Sequence, residues 1–191
     1  MNLEKPQAAR KRTPRGQGKA RLVEAASELF AELGVSGTSL QAIADRLGVT
    51  KAAVYHQFSS KEDIVVAVAQ PVIERLRNMA DVGESLPDGQ RQLAVIEGLV
   101  DLALAERGTA AVIRRDPTMA QILDDHAPYR DQITRLDALL LGPAPTIERR
   151  VALAFAGGGI MAVGALPGIE GPAAAVRAEL IAAFTRALGS I

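Results

Sequence analysis

The sequence predicts an all-α protein in which a small N-terminal three-helix unit precedes a larger helical body. Apolar residues recur at spacings of three and four along most of the chain, which is the period of an amphipathic helix. Glycine, proline and capping residues separate these stretches, and none of the stretches alternates as a strand would. The 191 residues, 48% hydrophobic and 23% charged, are enough to bury a substantial core.

Residues 1–18 are predicted to form a flexible basic arm, because they combine prolines, glycines and basic residues without an apolar period. Residues 1–65 carry ten basic and seven acidic side chains, whereas residues 66–191 carry twelve and fifteen. The first third therefore has a net charge of +3 and the remainder −3. This asymmetry favours a polyanionic partner for the N-terminal end, although a solvated arm would have the same composition.

The residue types present restrict the compartment and the chemistry. The chain has no cysteine and two histidines, and its N-terminus lacks the uncharged apolar core of a secretory signal. We therefore expect a cytoplasmic protein with no disulfide, no metal site and no cofactor.

The first three helices each have a start or stop signal. Helix one is predicted from Lys19 to Gly34, where glycine can end a helix with a positive φ. Thr38 is predicted to cap helix two, which ends at Gly48, and Thr50 is predicted to cap a short helix three.

A long fourth helix is predicted to begin with a capping box from Ser59 to Glu62 and to bend at Pro71, which lacks a backbone N–H. Further helical patterns follow beyond Pro87. They cover Leu93–Arg107, a short Ala110–Arg115 segment, Met119–Leu141, Thr146 to about Leu166, and Pro172–Leu188.

Thr38 to Phe58 contain the ordered features of a helix-turn-helix. Such a motif needs a small residue where two helices cross, a glycine where the chain reverses, and an apolar residue that holds the second helix against the first. Ala44, Gly48 and Val54 supply these features in that order.

The segment from about residue 20 to 65 resembles the TetR family of transcription regulators. Tyr55 is followed three residues later by Phe58 and then by Ser-Lys-Glu, a pattern that ordinary helix-turn-helix proteins do not share. The resemblance implies a DNA-binding domain at 19–64 and an effector-binding and dimerisation domain at 65–191. Other residues at positions that the family pattern expects are Ala26, Phe30, Gly34, Thr38, Ile43, Ala44, Gly48, Val49, Lys61 and Glu62.

The resemblance further implies a homodimer on a near-palindromic DNA operator, most simply a repressor released by an unknown small-molecule effector. The second helix of the motif is expected to enter the major groove. Lys51 can donate to guanine and Ala52 can touch a thymine methyl, while neighbouring groups contact phosphates. Each polar candidate also has a purely structural interpretation as a cap, core or surface residue. The predicted DNA-binding set is Thr38, Ser39, Thr50, Lys51, Ala52, Tyr55, His56 and Lys61.

Val151 to Ile169 carry no charge over nineteen residues, which is long enough for a membrane span. Five glycines, Pro167 and many alanines make that interpretation weak and instead predict a helix surface open to close approach. The resemblance implies that the last two helices pair with their symmetry mates. The predicted interface residues are Ala154, Gly158, Ala162, Ala165, Leu180 and Phe184.

An effector pocket is expected among the helices between about residues 65 and 165, where aliphatic side chains predict an aliphatic or modestly polar ligand. Three alternatives stay open: an activator of the same family, a membrane-attached adaptor, and a small helical enzyme using His126 with Asp124 and Asp125. The candidate ligand contacts are Arg114, Arg115, His126, Tyr129 and Phe155.

Overall fold

Helices are the regular secondary structure of residues 17–105, 116–163 and 171–189, the ranges that this computed structural model describes. The predicted all-α class is confirmed. In chain order the helices are α1 (Gln17–Gly37), α2 (Leu40–Leu47), α3 (Lys51–Tyr55), α4 (Lys61–Ser85), α5 (Asp88–Ala105), α6 (Pro117–Asp125), α7 (Ala127–Leu141), α8 (Ile147–Val163) and α9 (Ala173–Leu188).

The first three helices and the start of α4 share one apolar core. Phe30 of α1, Ile43 of α2 and Val54 of α3 are buried in it, together with Ile64 and Val65 of α4. Burying a large aliphatic or aromatic side chain contributes about 1.5–3 kcal/mol, so these few residues hold the short α2 and α3 in place. Neither helix is long enough to be stable alone.

Helix α6 also belongs to this first core, although it lies far along the chain. Met119 and Leu123 are almost completely buried among the residues of α1 and α4. Residues 19–64 therefore pack together with one helix of the body.

A second core lies between α4, α5, α7, α8 and α9, and α4 takes part in both. Its members include Leu76, Val95, Leu140 and Phe184. Gly83 lets α4 come close to its neighbours, since an added Cβ would lie 2.8 Å from a methyl carbon of Leu139. The long α4 connects the two cores as one element.

The observed helix boundaries correct several predictions. The stretch from Met119 to Leu141 forms two helices, α6 and α7, because the backbone at His126 is extended with φ −86° and ψ 105°. Helix α4 includes Pro71 within its range, and the bend expected there stays a prediction. The predicted Ala110–Arg115 segment lies outside the described residues. Within the described ranges, no helix combines the length and apolar character that a membrane crossing needs.

Candidate nucleic-acid interface and ligand cavity

The turn between α2 and α3 depends on Gly48. This residue has φ 65° and ψ 33°, a left-handed conformation that costs other residues about 1–2 kcal/mol. Its N–H bonds back to carbonyl groups of α2, and the N–H of Val49 donates to the Ala44 carbonyl at 3.0 Å. Thr50 then starts α3, as predicted, by accepting a hydrogen bond from the N–H of Ala53 at 3.2 Å.

Helix α3 has one buried residue and an otherwise exposed surface. Val54 is 0% exposed and anchors the helix against α1 and α2. The ammonium group of Lys51 lies 5.7 Å from the centre of the Tyr55 ring. The structure thus brings five of the predicted DNA-binding residues together, all exposed, on α3 and at its two caps, namely Thr50, Lys51, Ala52, Tyr55 and His56.

Ser39, not Thr38, caps α2. The Ser39 hydroxyl accepts a hydrogen bond from the N–H of Ala42 at 3.1 Å, and the residue is exposed. Thr38 is only 2% exposed, and its hydroxyl donates inward to the carbonyl groups of Gly34 at 2.8 Å and Leu29 at 3.2 Å. The predictions that Thr38 caps α2 and presents its hydroxyl to DNA are therefore wrong.

Lys61 is half-buried and its ammonium group points at the connection between α1 and α2. It donates to the carbonyl oxygens of Val35 at 2.9 Å and Thr38 at 3.3 Å. The α4 capping box next to it uses Ser60 and Asp63, one residue later than the predicted Ser59 and Glu62. Lys61 therefore ties the start of α4 to the α1–α2 connection, a structural role that the sequence did not predict.

An exposed ion-pair cluster joins α1 to α2. The Arg46 guanidinium contacts Glu32 at 2.7 Å and Glu28 at 3.2 Å. Hydrogen bonding from Arg46 holds the pKa of Glu32 below its ordinary value. Solvent screens such exposed pairs, so they add little to the stability of the packing of α2 on α1.

Asp116 makes an interhelical contact that the sequence analysis missed. One carboxylate oxygen caps α6 by accepting from the N–H groups of Thr118 at 2.9 Å and Met119 at 3.1 Å. The other accepts from the N–H of Val35, which lies just after the kink in α1 at Gly34. Burial alone would raise the pKa of Asp116, but the three backbone N–H donors lower it below its ordinary value.

A cavity of about 380 Å³ lies among α4, α5, α6, α7, α8 and α9. Its described wall is mostly aliphatic, with polar groups only from Asp124, Tyr129 and Asp137. Burial, followed by the nearby charge of Asp124, raises the pKa of Tyr129. Burial also raises the pKa of Asp137, although the charge of Arg150 opposes this. The volume falls in the range of small-molecule sites.

Only some of the predicted ligand contacts lie at the cavity. Tyr129 lies on the cavity wall, whereas His126 at the α6–α7 break is not among the lining residues. Phe155 is 80% exposed on α8, so its predicted ligand contact is wrong. Arg114 and Arg115 lie outside the described residues.

The predicted interface residues differ in how exposed they are. Ala154 and Gly158 are exposed on α8, but Phe184 is 2% exposed and lines the cavity, so its predicted interface role is wrong. Leu180 is half-buried against the second core. The Ala162 side chain and Ala165 lie outside what the structure describes.

Most of the segment that forms the first core is similar to a known protein family. Residues 22–68 match the family described as bacterial regulatory proteins, tetR family. This match covers most of α1, all of α2 and α3, and the first part of α4, and so includes the whole helix-turn-helix.

Two curated relatives are transcription regulators of opposite sign. The chain is 35% identical over 94 residues to the transcriptional activator FasR of Mycolicibacterium smegmatis, covering 47% of this chain and 42% of FasR. It is 27% identical over 115 residues to the transcriptional repressor KstR2 of Rhodococcus jostii, covering 59% of this chain and 55% of that repressor. The chain thus spans about half the length of these relatives.

The whole helical arrangement also occurs in solved structures. NalD of Pseudomonas aeruginosa, the secondary repressor of the MexAB-OprM multidrug efflux pump, superposes with a TM-score of 0.67 at 21% identity. The superposition covers 90% of this chain and 96% of NalD. At this identity the likeness shows the shared fold.

Proposed function

We propose that the chain is a TetR-family regulator that controls transcription by binding a specific operator through α3, because residues 22–68 match that family of bacterial regulatory proteins. The observation that carries this proposal is the arrangement of α3, which is anchored by Val54 and leaves its polar residues accessible. A helix of this kind can enter the major groove while α2 crosses the DNA backbone.

The exposed residues of α3 suit direct reading of bases. Lys51 can donate to guanine O6 or N7, and Ala52 can contact a thymine methyl group. The Thr50 hydroxyl accepts from the backbone of α3 and keeps its own proton to donate to a base or phosphate. The Ser39 hydroxyl has the same freedom at the start of α2. Tyr55 and His56 are exposed and can contact DNA phosphates.

We propose that the chain acts as a homodimer through α8 and α9. Ile147, Val151 and Phe155 recur every four residues on α8 and are 67%, 47% and 80% exposed. Adjacent exposed Ala154 and Gly158 would let a second copy approach closely. Two copies of α3 would then read a near-palindromic operator with half-sites about 34–36 Å apart.

The cavity is the proposed effector site. Its aliphatic wall suits an apolar ligand, and Asp124 and Asp137 favour one that also carries a hydrogen-bond donor or a positive charge. Octylamine, 1-octanol and octanoate share one hydrocarbon chain and differ in the charge of the head group. Calorimetry should give the tightest binding to octylamine; preference for octanoate would contradict this ligand class.

Repression relieved by the effector, in the cytoplasm, is the proposed mode of action, and the similarity to the repressor KstR2 supports the repression. Activation is the second candidate, because the FasR relative is an activator. Transcription of a reporter downstream of the operator in cells with and without the protein distinguishes the two signs of regulation.

The proposal is tested by selecting binding sites for the full chain from random double-stranded DNA. The expected result is enrichment of one near-palindromic sequence whose two halves are centred one helical turn apart. Failure to enrich any sequence, with binding that depends only on salt, would contradict a sequence-specific regulator.

A further inference from the structure

The N-terminus of α6 is attached directly to the end of α1, 81 positions earlier in the chain. Asp116 accepts hydrogen bonds from both helices, with one oxygen on the N–H of Val35 and the other on the N–H groups of Thr118 and Met119. Beside it, the hydroxyl groups of Ser36 and Thr118 lie 2.6 Å apart. The carboxylate thus holds two helix ends in one fixed relation.

Helix α6 faces both of the sites described above. Ala120, Leu123 and Asp124 line the cavity, while Met119 and Leu123 are buried in the core beneath the helix-turn-helix. A molecule that enters the cavity and displaces α6 must therefore also disturb either this core or the attachment at Asp116. Close packing makes a core respond to such a displacement as a unit.

The backbone of Val35 bonds to both α6 and α4, just before α2 begins. Its N–H is held by Asp116, and its carbonyl oxygen accepts from Lys61 of α4 at 2.9 Å. Lys61 also donates to the carbonyl of Thr38, the residue before the α2 cap. One peptide segment is consequently held by α6 on one side and by α4 on the other, immediately before the helix-turn-helix.

Gly34 shapes this segment for the contact. Its φ of 74° breaks the helical path of α1, and an added Cβ would lie 2.9 Å from the carboxylate oxygen of Asp116 that bonds Val35. Both the left-handed backbone and the close approach require glycine at this position.

We propose that Asp116 is a positioning residue that transmits displacement of α6 at the cavity to the placement of α2 and α3. This inference rests on the proposed function of DNA binding. The cavity and the helix-turn-helix would then be linked in two ways. One is the continuous helix α4, and the other is the contact between α1 and α6 at Asp116. Breaking the attachment should leave both sites intact and reduce the influence of one on the other.

A double-mutant cycle tests this coupling without a known effector. Ala120→Leu enlarges a side chain on the cavity wall and so perturbs α6 from that side. Asp116→Ser keeps a good helix cap but has one hydroxyl, which cannot serve α6 and Val35 together. Asp116→Asn, which is nearly identical in shape, replaces the serine variant if that one melts near the assay temperature.

Operator affinity of the full chain is measured for the parent, both single variants and the double variant, on the DNA selected above. We expect Ala120→Leu to change affinity at least about threefold in the parent and less than about 1.5-fold beside Asp116→Ser. In a control background, Arg135→Gln removes an exposed interaction with Asp81 and Glu84 away from the attachment. There Ala120→Leu should keep its full effect.

An equal effect of Ala120→Leu with and without Asp116, or no effect in the parent, would overturn the proposal. Loss of the effect in the Arg135→Gln background as well would also overturn it, because general destabilisation would then explain the result. If the parent selects no DNA sequence, the proposed function fails first, and that outcome is distinct from these.

Discussion

At the residue scale, two neighbouring hydroxyl residues have different roles, one buried and one exposed. The local sequence could not show which residue has which role. Thr38 and Ser39 both suit the start of α2, but Thr38 is drawn inward by the carbonyl groups of Gly34 and Leu29. Ser39 consequently caps the helix. That choice depends on the kink in α1, a tertiary feature. Asp116 was missed for a similar reason, since its partner Val35 is distant in sequence.

Lys51 is predicted to contact a DNA base, which gives a specific test at this scale. Lys51→Ala should weaken operator binding by about 1–3 kcal/mol and relax discrimination at one base position, because a base contact is lost. Titrations against the selected operator and a shuffled sequence measure both effects. Arg130→Ala, an exposed change on α7, is the control. An equal loss on both DNA sequences would reassign Lys51 to a phosphate.

Asp116 should also make stability depend on acidity. Its pKa is lower in the folded chain than the ordinary value of about 3.9, so its stabilising effect is complete above that value. The effect is lost as pH falls through the lower folded value. The free energy of unfolding of the parent should therefore exceed that of Asp116→Asn at pH 7, and the difference should shrink below about pH 4. Urea unfolding across this range measures it; a constant difference would contradict the assigned ionisation.

At the element scale, helices with strong local signals were predicted well. The start of α3 at Thr50 and the turn at Gly48 follow from capping and backbone conformation, which neighbouring residues determine. The faces of α8 and α9 were harder to orient, because apolar residues occur around both helices. Phe155 was therefore predicted to lie inside but is exposed, and Phe184 was predicted to lie at an interface but is buried.

Gly48 provides a test of the helix-turn-helix as an element. Gly48→Ala should lower the free energy of unfolding by about 1–2 kcal/mol through its left-handed backbone, since an added Cβ meets no atom within 4 Å. Gly89→Ala on α5 also adds a Cβ to open space, but in ordinary helical backbone, and should stabilise by about 0.4–1 kcal/mol. Urea unfolding of both variants distinguishes them, and a change of the same sign would contradict this account of the turn.

At the scale of the whole molecule, one long helix and one short helix connect the DNA-binding unit to the body. Both α4 and α6 take part in the first core and line the cavity. The sequence predicted α4 as one long helix that begins directly after the helix-turn-helix. The dual placement of α6 could not be predicted, because its few apolar residues do not show which core they enter.

The proposed dimer can be tested through the exposed apolar face of α8. Phe155→Lys places a charge in the exposed apolar face of α8 and should convert the dimer to a monomer, weakening operator binding with it. Val82→Lys alters another exposed apolar residue, on α4, and should leave the dimer intact. Sedimentation velocity measures both variants. A Phe155→Lys protein that stayed dimeric would contradict this placement of the interface.

The central claim, that α3 lies in the operator's major groove, can be tested directly because the chain has no cysteine. Gln57→Cys puts a single thiol at an exposed position two residues beyond the end of α3, and Val82→Cys puts one on the body as a control. Each thiol is labelled with a tethered iron chelate that cleaves nearby DNA. We predict cleavage from Gln57→Cys at two positions about 34–36 Å apart, one in each half-site, and none from Val82→Cys. Cleavage from the body position, or none from α3 on operator that is fully bound, would contradict it.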